Sequence, residues 1–238
     1  MIIGTVANAA AIVAGGLIGV TLAKLSKDKS GSGSGVSDSV LKVIGLAVLI
    51  MGVHMTLKEH DYFPVVVCLA LGTFLGEMLR IESRIEQFGG WLQKITKSKS
   101  DTFVSGFVFA SVLFGVGAMA IIGALNDGLL DDPALLFTKS LLDGITSIIL
   151  AVTMGIGVAF SAIPIFILQG GISLGASQLT FLLENPVYIN GISVTGGVMI
   201  VAIGLNLLGV AKLRIGNMLP AIVLIPVYDA IYLAVKGL

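Results

Sequence analysis

Apolar residues in this chain do not alternate with polar ones. They run on for about 20 positions at a time, the length an α-helix needs to cross a bilayer core of about 30 Å. Eight such runs are predicted to span, at residues 2–24, 40–57, 62–79, 102–125, 135–160, 163–183, 192–211 and 217–236. The break between the fifth and sixth is placed at Ser161-Ala162-Ile163-Pro164, since Pro164 suits the first turn of a helix, where its missing N–H costs nothing. An outer-membrane barrel would instead show segments of about 10 residues with alternating polarity. The expected fold class is therefore an all-α polytopic membrane protein, a single membrane domain over residues 1–238. It divides into a first three-helix unit (1–79), an amphipathic linker (80–101), two central helices (102–160) and a second three-helix unit (163–238).

Composition sharpens this picture. Charged residues make up 12% of the chain and apolar ones 56%, against about 25% charged in an average soluble domain. Gly occupies 31 of 238 positions, mostly inside the apolar runs, as it does where transmembrane helices pack closely. The 14 basic and 14 acidic residues balance, so no overall field points to a nucleic-acid partner. Cys68 is the sole cysteine and lies in an apolar run, which excludes a disulfide within one chain. No basic region precedes the first run, so a cleaved signal peptide is not expected.

The basic residues are unevenly placed. Lys24, Lys27, Lys29, Lys42, Arg80, Arg84, Lys94, Lys97, Lys99, Lys212 and Arg214 fall on one side of the predicted spans. Lys58, Lys139 and Lys236 fall on the other, together with Glu59, Asp61, Asp127, Asp131, Asp132 and Glu184. Short cytoplasmic loops collect Lys and Arg, so the loops after spans one, three and seven are expected inside and both termini outside. The first loop holds the low-complexity tract Ser30-Gly31-Ser32-Gly33-Ser34-Gly35. In the linker, Ile81, Ile85, Phe88, Trp91, Leu92 and Ile95 recur at helical spacing, which predicts an amphipathic helix on the inner membrane surface.

An internal repeat is expected as well. Gly45 to His54 laid over Gly197 to Asn206 superposes both glycines of each block and matches a polar residue with a polar residue at the end. Upstream, Asn8-Ala9-Ala10 matches Gln169-Gly170-Gly171; downstream, each block is followed by a span opening near Pro64 or Pro220. Spans one to three thus resemble spans six to eight, and the five-span offset inverts one unit relative to the other. Inverted repeats are common in secondary transporters, with the binding site near the midplane where the units meet.

Polar side chains at membrane depth are costly and usually face a partner helix or a wet cavity. Asp143 is the most informative, with Lys139 four residues earlier; the two read either as an i,i+4 pair or as a substrate or ion contact. Asn8, Gln169 and Asn206 each offer two donors and an acceptor without charge, for a polar ligand or for bonds between helices. Asp229 follows Pro226, whose ring frees a carbonyl one turn back. His54 and His60 lack partners at metal spacing; His54 reads as a satisfied histidine between helices or a proton relay. Gly115 to Ala120 is neither a Walker motif nor a dinucleotide loop, though Gly117 and Gly157 are candidate helix breaks. No nucleophile paired with a base and no metal cluster is visible, so neither an enzyme nor a cofactor is expected.

Several ordered motifs carry a wider resemblance: Gly4-Thr5-Val6-Ala7-Asn8 with Gly15-Gly16, Gly45-Leu46-Ala47-Val48, Gly115 to Ile121, Lys139-Ser140-Leu141-Leu142-Asp143-Gly144, Gln169-Gly170, Gly204-Leu205-Asn206-Leu207-Leu208 and Asn217-Met218-Leu219-Pro220-Ala221. Together they resemble the bacterial integral membrane family catalogued as domain of unknown function 554, the YdfK/YqgA type, over nearly the whole chain. The resemblance implies a polytopic inner-membrane protein and singles out Asn8, Lys139, Asp143, Gln169, Asn206 and Asn217. The function expected is a small secondary transporter or channel for an ion or small polar solute, as a homo-oligomer in the lipid bilayer. The alternative is a membrane scaffold or sensor acting through the amphipathic linker.

Overall fold

A computed structural model describes residues 2–27 and 33–236. Its helices are α1 (Ile3–Lys27), α2 (Gly33–Thr56), α3 (Tyr62–Leu79), α4 (Ile81–Ile95), α5 (Phe103–Gly115), α6 (Ala118–Leu129), α7 (Ala134–Met154), α8 (Gly157–Phe160), α9 (Ala162–Leu174), α10 (Phe181–Glu184), α11 (Pro186–Leu207) and α12 (Pro220–Lys236, entered through a 3₁₀ turn at Ile215–Met218). Among the described residues there is no strand. Residues 28–32, with Lys29 and the first half of the Ser-Gly tract, lie outside the described residues; Gly33 to Gly35 open α2.

Local chemistry sets the helix ends. Asp61 caps α3 by accepting from the Phe63 N–H at 3.0 Å, and Asn185 caps α11 by accepting from Val187 N–H at 3.0 Å with Pro186 just inside the helix. α5 and α6 are joined by extended Val116 and by Gly117 at φ 135°, and meet at 64°. The break after α7 falls at Gly155, whose φ of 76° and ψ of −164° suit only glycine, rather than at residues 161–164. α8 and α9 therefore continue one span, and Pro164 sits in the first turn of α9.

Among the described residues, seven helical segments are long and apolar enough to cross a bilayer, and the bent pair α5–α6, taken as one span, makes an eighth. That pair reaches from one end of the bundle to the other. At its start the Thr102 hydroxyl donates to the Met154 carbonyl at the end of α7, and near its end the Ala124 carbonyl accepts from Ser173 at the end of α9. α1 and α7 run parallel in register, Gly4 facing Leu136, Gly15 facing Gly144 and Ser147, and Gly19 facing Ile148 and Ala151. Two helices with three traverses between them run parallel, so the bent pair counts as one traverse. The bundle then has an acidic end, holding Ile3, the 57–61 loop and Leu130 to Pro133, and a basic end holding Lys24, residues 80–102 and residues 208–214.

Close backbone approach at glycines organises the packing. α2 lies antiparallel against α11, Gly45 facing Gly204 and Gly52 facing Gly197 and Val201. α3 lies antiparallel against α12, Gly72 facing Ala221 and Gly76 facing Asn217. At these points a Cβ would strike backbone atoms, which cannot rotate away. α11 is the most enclosed span. α4 lies across the basic end, seating Gly89 and Leu92 on Phe107 and leaving Phe88, Trp91 and Ile95 exposed.

Candidate functional site

The glycine-lined seam between α1 and α7 brings four of the sequence-predicted residues together. Lys139 and Asp143 lie one turn apart on α7 and form an ion pair at 2.5 Å. The Asn8 amide from α1 donates to Asp143 Oδ2 at 3.1 Å and to Gln169 Oε1 of α9 at 3.1 Å. Asn8 and Gln169 are 0% exposed, Lys139 and Asp143 7%. At about 1.5 Å per residue, Asn8 lies about 8 Å and Asp143 about 13 Å from the starts of their helices, so the cluster sits between the acidic end and mid-bilayer.

Its hydrogen bonding is incomplete. Asn8 Oδ1 and Gln169 Nε2 have no partner, and neither do the hydroxyls of Thr5 and Ser147 on the same two helices as Asn8 and Asp143. An unpaired buried polar atom costs about 1–3 kcal/mol, and most are satisfied in native proteins. One free acceptor and one free amide donor flank a neutralised ion pair. That arrangement can bind a small polar group, or a cation displacing the Lys139 ammonium from Asp143. Nearby, buried Asp127 accepts from the Thr5 N–H at 3.3 Å, near the start of α1.

Asn206 and Asn217 are placed elsewhere, at the basic end. The Asn206 side chain accepts from Leu213 N–H and donates to Leu213 O, both at 2.8 Å, closing the 208–214 loop. Asn217 Oδ1 accepts from the Glu82 N–H at 2.8 Å, at the start of α4. Both amides hold backbone. Gly117 is a true helix break, whereas Gly157 packs on the Phe103 backbone just past the break at Gly155. His54 lies exposed on α2 rather than between helices.

The contact between His60 and Asp229 was not anticipated from the sequence. His60, in the loop before α3, directs Nε2 at both Asp229 oxygens of α12 at 3.1 Å, and its Nδ1 lies 2.8 Å from the Asp61 carbonyl oxygen. Asp229 carried a signal, as an acid within a span beside Pro226. His60 carried none, because its partner is 169 residues away.

Three cavities lie apart from the Asp143 cluster, and none is lined by it. A groove of about 1010 Å³ near the basic end runs between α1, α7 and α9, past Lys24 and Lys99. A vestibule of about 500 Å³ at the same end is bordered by Glu82, Glu86, Asp101 and Asn206 and reaches Phe109 and Val112. Burial pushes the Glu82 carboxyl above the usual carboxylate range, although the Gly216 N–H donates to it at 3.0 Å. An apolar cavity of about 720 Å³ opens on the flank between α5, α9 and α12.

The family described as "Protein of unknown function (DUF554)" matches over residues 3–230. The chain is 33% identical over 229 residues to "Uncharacterized membrane protein YdfK" of Bacillus subtilis (strain 168), covering 94% of each chain. It is 30% identical over 229 residues to "Uncharacterized protein YqgA" of Escherichia coli (strain K12), again covering 94% of each. No solved structure matches it.

Proposed function

The chain belongs to the DUF554 family of membrane proteins, and from that premise we propose that it is a secondary transporter or channel for an ion or small polar solute, bound at the Asp143 cluster. The observation that supports this reading is the unsatisfied pair of amide atoms, Asn8 Oδ1 and Gln169 Nε2, beside a buried ion pair inside the span region. A polar group there is expensive and is kept where it serves a pathway or a ligand. Asp143 is the charged contact, Lys139 its resting counter-ion, and Asn8 and Gln169 the neutral contacts. In this reading the protein is a homo-oligomer of the bacterial inner membrane with the acidic end and both termini outside, an orientation that the bias of basic residues supports.

The test is thermal stability of the purified protein against separate panels of alkali cations, halides, small amines and small carboxylates, beside Asp143→Asn. A specific solute at a hundredfold excess over Kd stabilises by about 2.7 kcal/mol. Stabilisation lost in a folded Asp143→Asn protein supports the site. No stabilisation by any probe, with the variant equally stable, rejects it.

The exposed stripe Phe88, Trp91 and Ile95 on α4 favours a second reading, a scaffold or sensor that docks a cytoplasmic partner there. Deleting residues 83–95 separates the two: a scaffold loses its partner, whereas a transporter keeps solute stabilisation.

A further inference from the structure

Laying Gly45 and Gly52 over Gly197 and Gly204 is a shift of 152 residues. In the fold, a Cβ on Gly45 would meet the Gly204 side of α11 and one on Gly204 would meet the Gly45 carbonyl; Gly52 and Gly197 face each other in the same reciprocal way. Exchanging the two helices under that shift turns the contact Gly45/Gly204 into Gly197/Gly52, a contact the fold also contains. Such reciprocity is what a local two-fold axis between antiparallel helices produces. The same ungapped shift carries Glu77 of α3 onto Asp229 of α12. Each of these acids pairs with a basic side chain from the segment preceding the other's helix: Asp229 with His60, and Glu77 with Arg214 at 3.1 Å. Asn8 and Gln169, from the first spans of the two units, bond to each other.

The two ion pairs occupy opposite ends of the bundle and are chemically unequal. Arg214–Glu77, at the basic end, is open to water, its side chains 67% and 45% exposed. His60–Asp229 is sealed, its side chains 3% and 3% exposed, and α11 closes over it at Gly191, where a Cβ would meet Asp229 Oδ2 at 2.7 Å and His60 Nε2 at 2.8 Å. An arginine pair does not titrate near neutral pH, whereas a histidine pair does.

We propose that the His60–Asp229 pair is a proton-binding site that closes the acidic end of the interface between the two three-helix units, with Arg214–Glu77 as its proton-independent counterpart at the basic end. His60 takes one proton from the adjacent water as the closure forms and returns it as the closure opens; no other bond changes. The role of this proton as the coupling ion rests on the transport reading above, while the closure itself does not.

The geometry fits the imidazolium. Nδ1 faces a carbonyl oxygen, which only accepts, so it carries a hydrogen; Nε2 faces a carboxylate, which when ionised also only accepts. The hydrogen bond to Asp229 raises the His60 pKa above its ordinary value of 6.5, outweighing the opposing effect of burial, with help from the Asp61 carbonyl and the charges of Asp229 and Asp61. The groups around the pair are Asp61 from its own loop, Cys68 of α3, which feels the Asp229 charge, and from α11 the uncharged Gly191 and Asn190, the latter donating to the Glu59 carbonyl. For a histidine with a raised pKa, the closure is at full strength below the open-state value and is lost as pH rises through the closed-state value. Between the two, the closing equilibrium falls about tenfold per pH unit for one proton.

The chain has two histidines, so a His54→Gln protein labelled in histidine shows one ring signal by NMR. In nanodiscs its titration midpoint is expected above 6.5, and Asp229→Asn is expected to move it down. Hydrogen exchange of residues 57–61, corrected for intrinsic rate, is expected to speed up from pH 6 to pH 9, by a factor set by how far the measured His60 midpoint lies above 6.5. His60→Arg, with a permanent cation, should remain protected throughout, and Arg214→Gln should keep the wild-type pH step. A midpoint at or below 6.5, or wild-type exchange that is flat with pH, overturns the proposal even if every variant at the pair misfolds. A pH step without any solute stabilisation at Asp143 leaves the proton closure standing and removes transport; solute stabilisation with flat exchange removes the proton site alone.

Discussion

Replacing Lys139 with Met keeps an unbranched apolar stem one atom shorter and removes the cation that lies 2.5 Å from Asp143. Asp143 then retains the hydrogen bond from the Asn8 amide, in a position 7% exposed. Breaking a buried ion pair from one side costs about 3–5 kcal/mol, because the other charge is left uncompensated. Asp143→Leu has a similar cost, since it strands the ammonium and also removes an acceptor from Asn8. The double variant Lys139→Met/Asp143→Leu buries no charge, and such replacements are often neutral or stabilising by about 1–4 kcal/mol. The cycle should therefore show a coupling of about 3 kcal/mol or more between the two sites. For a chain of this size, a loss of 3–5 kcal/mol corresponds to a fall in Tm of about 6–20 °C. The four proteins are compared by reversible unfolding in mixed micelles at pH 7. Single variants that each cost under about 1 kcal/mol and simply add, the range of exposed pairs, would show the pair to be solvated and the closed site illusory. A double variant that is as stable as wild type but no longer stabilised by solute would show that the charges are kept for binding.

Gly52→Ala should destabilise by about 1–3 kcal/mol, since the new methyl meets the Val201 backbone nitrogen at 2.6 Å and Gly197 O at 2.8 Å. Gly90→Ala on α4 meets nothing within 4 Å and should be stabilising by up to about 1 kcal/mol, so thermal unfolding of the two gives opposite signs. Trp91 is the single tryptophan and is 54% exposed on α4. In vesicles its fluorescence should be quenched most strongly by headgroup-proximal nitroxide lipids; emission insensitive to lipid quenchers would refute an interfacial α4. Asn206→Ala removes both hydrogen bonds to Leu213 and should cost about 1–3 kcal/mol while exchange of residues 208–214 speeds up. Solute stabilisation at Asp143 should survive that change; its loss would return Asn206 to the site.

What could be read from the chain is what is local along it. Run length finds the spans because a membrane helix must be apolar over its whole crossing, and the basic loops order them. The Asp143 cluster was legible for a related reason: a polar side chain more than a turn inside a span has no free backbone to cap, so Asn8, Lys139, Asp143 and Gln169 turn to one another. Asn206 and Asn217 are of the same residue type but sit where helices end, and there unpaired N–H and C=O groups claim them first. The break after the fifth span was misread because Pro164 is the conspicuous residue, yet proline fits a first helical turn and the chain bends at Gly155 instead. In a chain so rich in glycine, nothing local marks which one adopts positive φ.

The His60–Asp229 contact needed more than locality, since the two residues meet only after α3 and α12 have packed. A pattern that relates distant segments could have exposed it. The shift that aligns the glycines of α2 and α11 also aligns Glu77 with Asp229, and in the fold each acid meets a basic side chain from the segment preceding the other's helix. At one end that partner is Arg214, which stays charged, and at the other it is His60, which titrates. Under the proposed closure, only the acidic end would respond to pH, and the proton concentration at that face alone would set its opening.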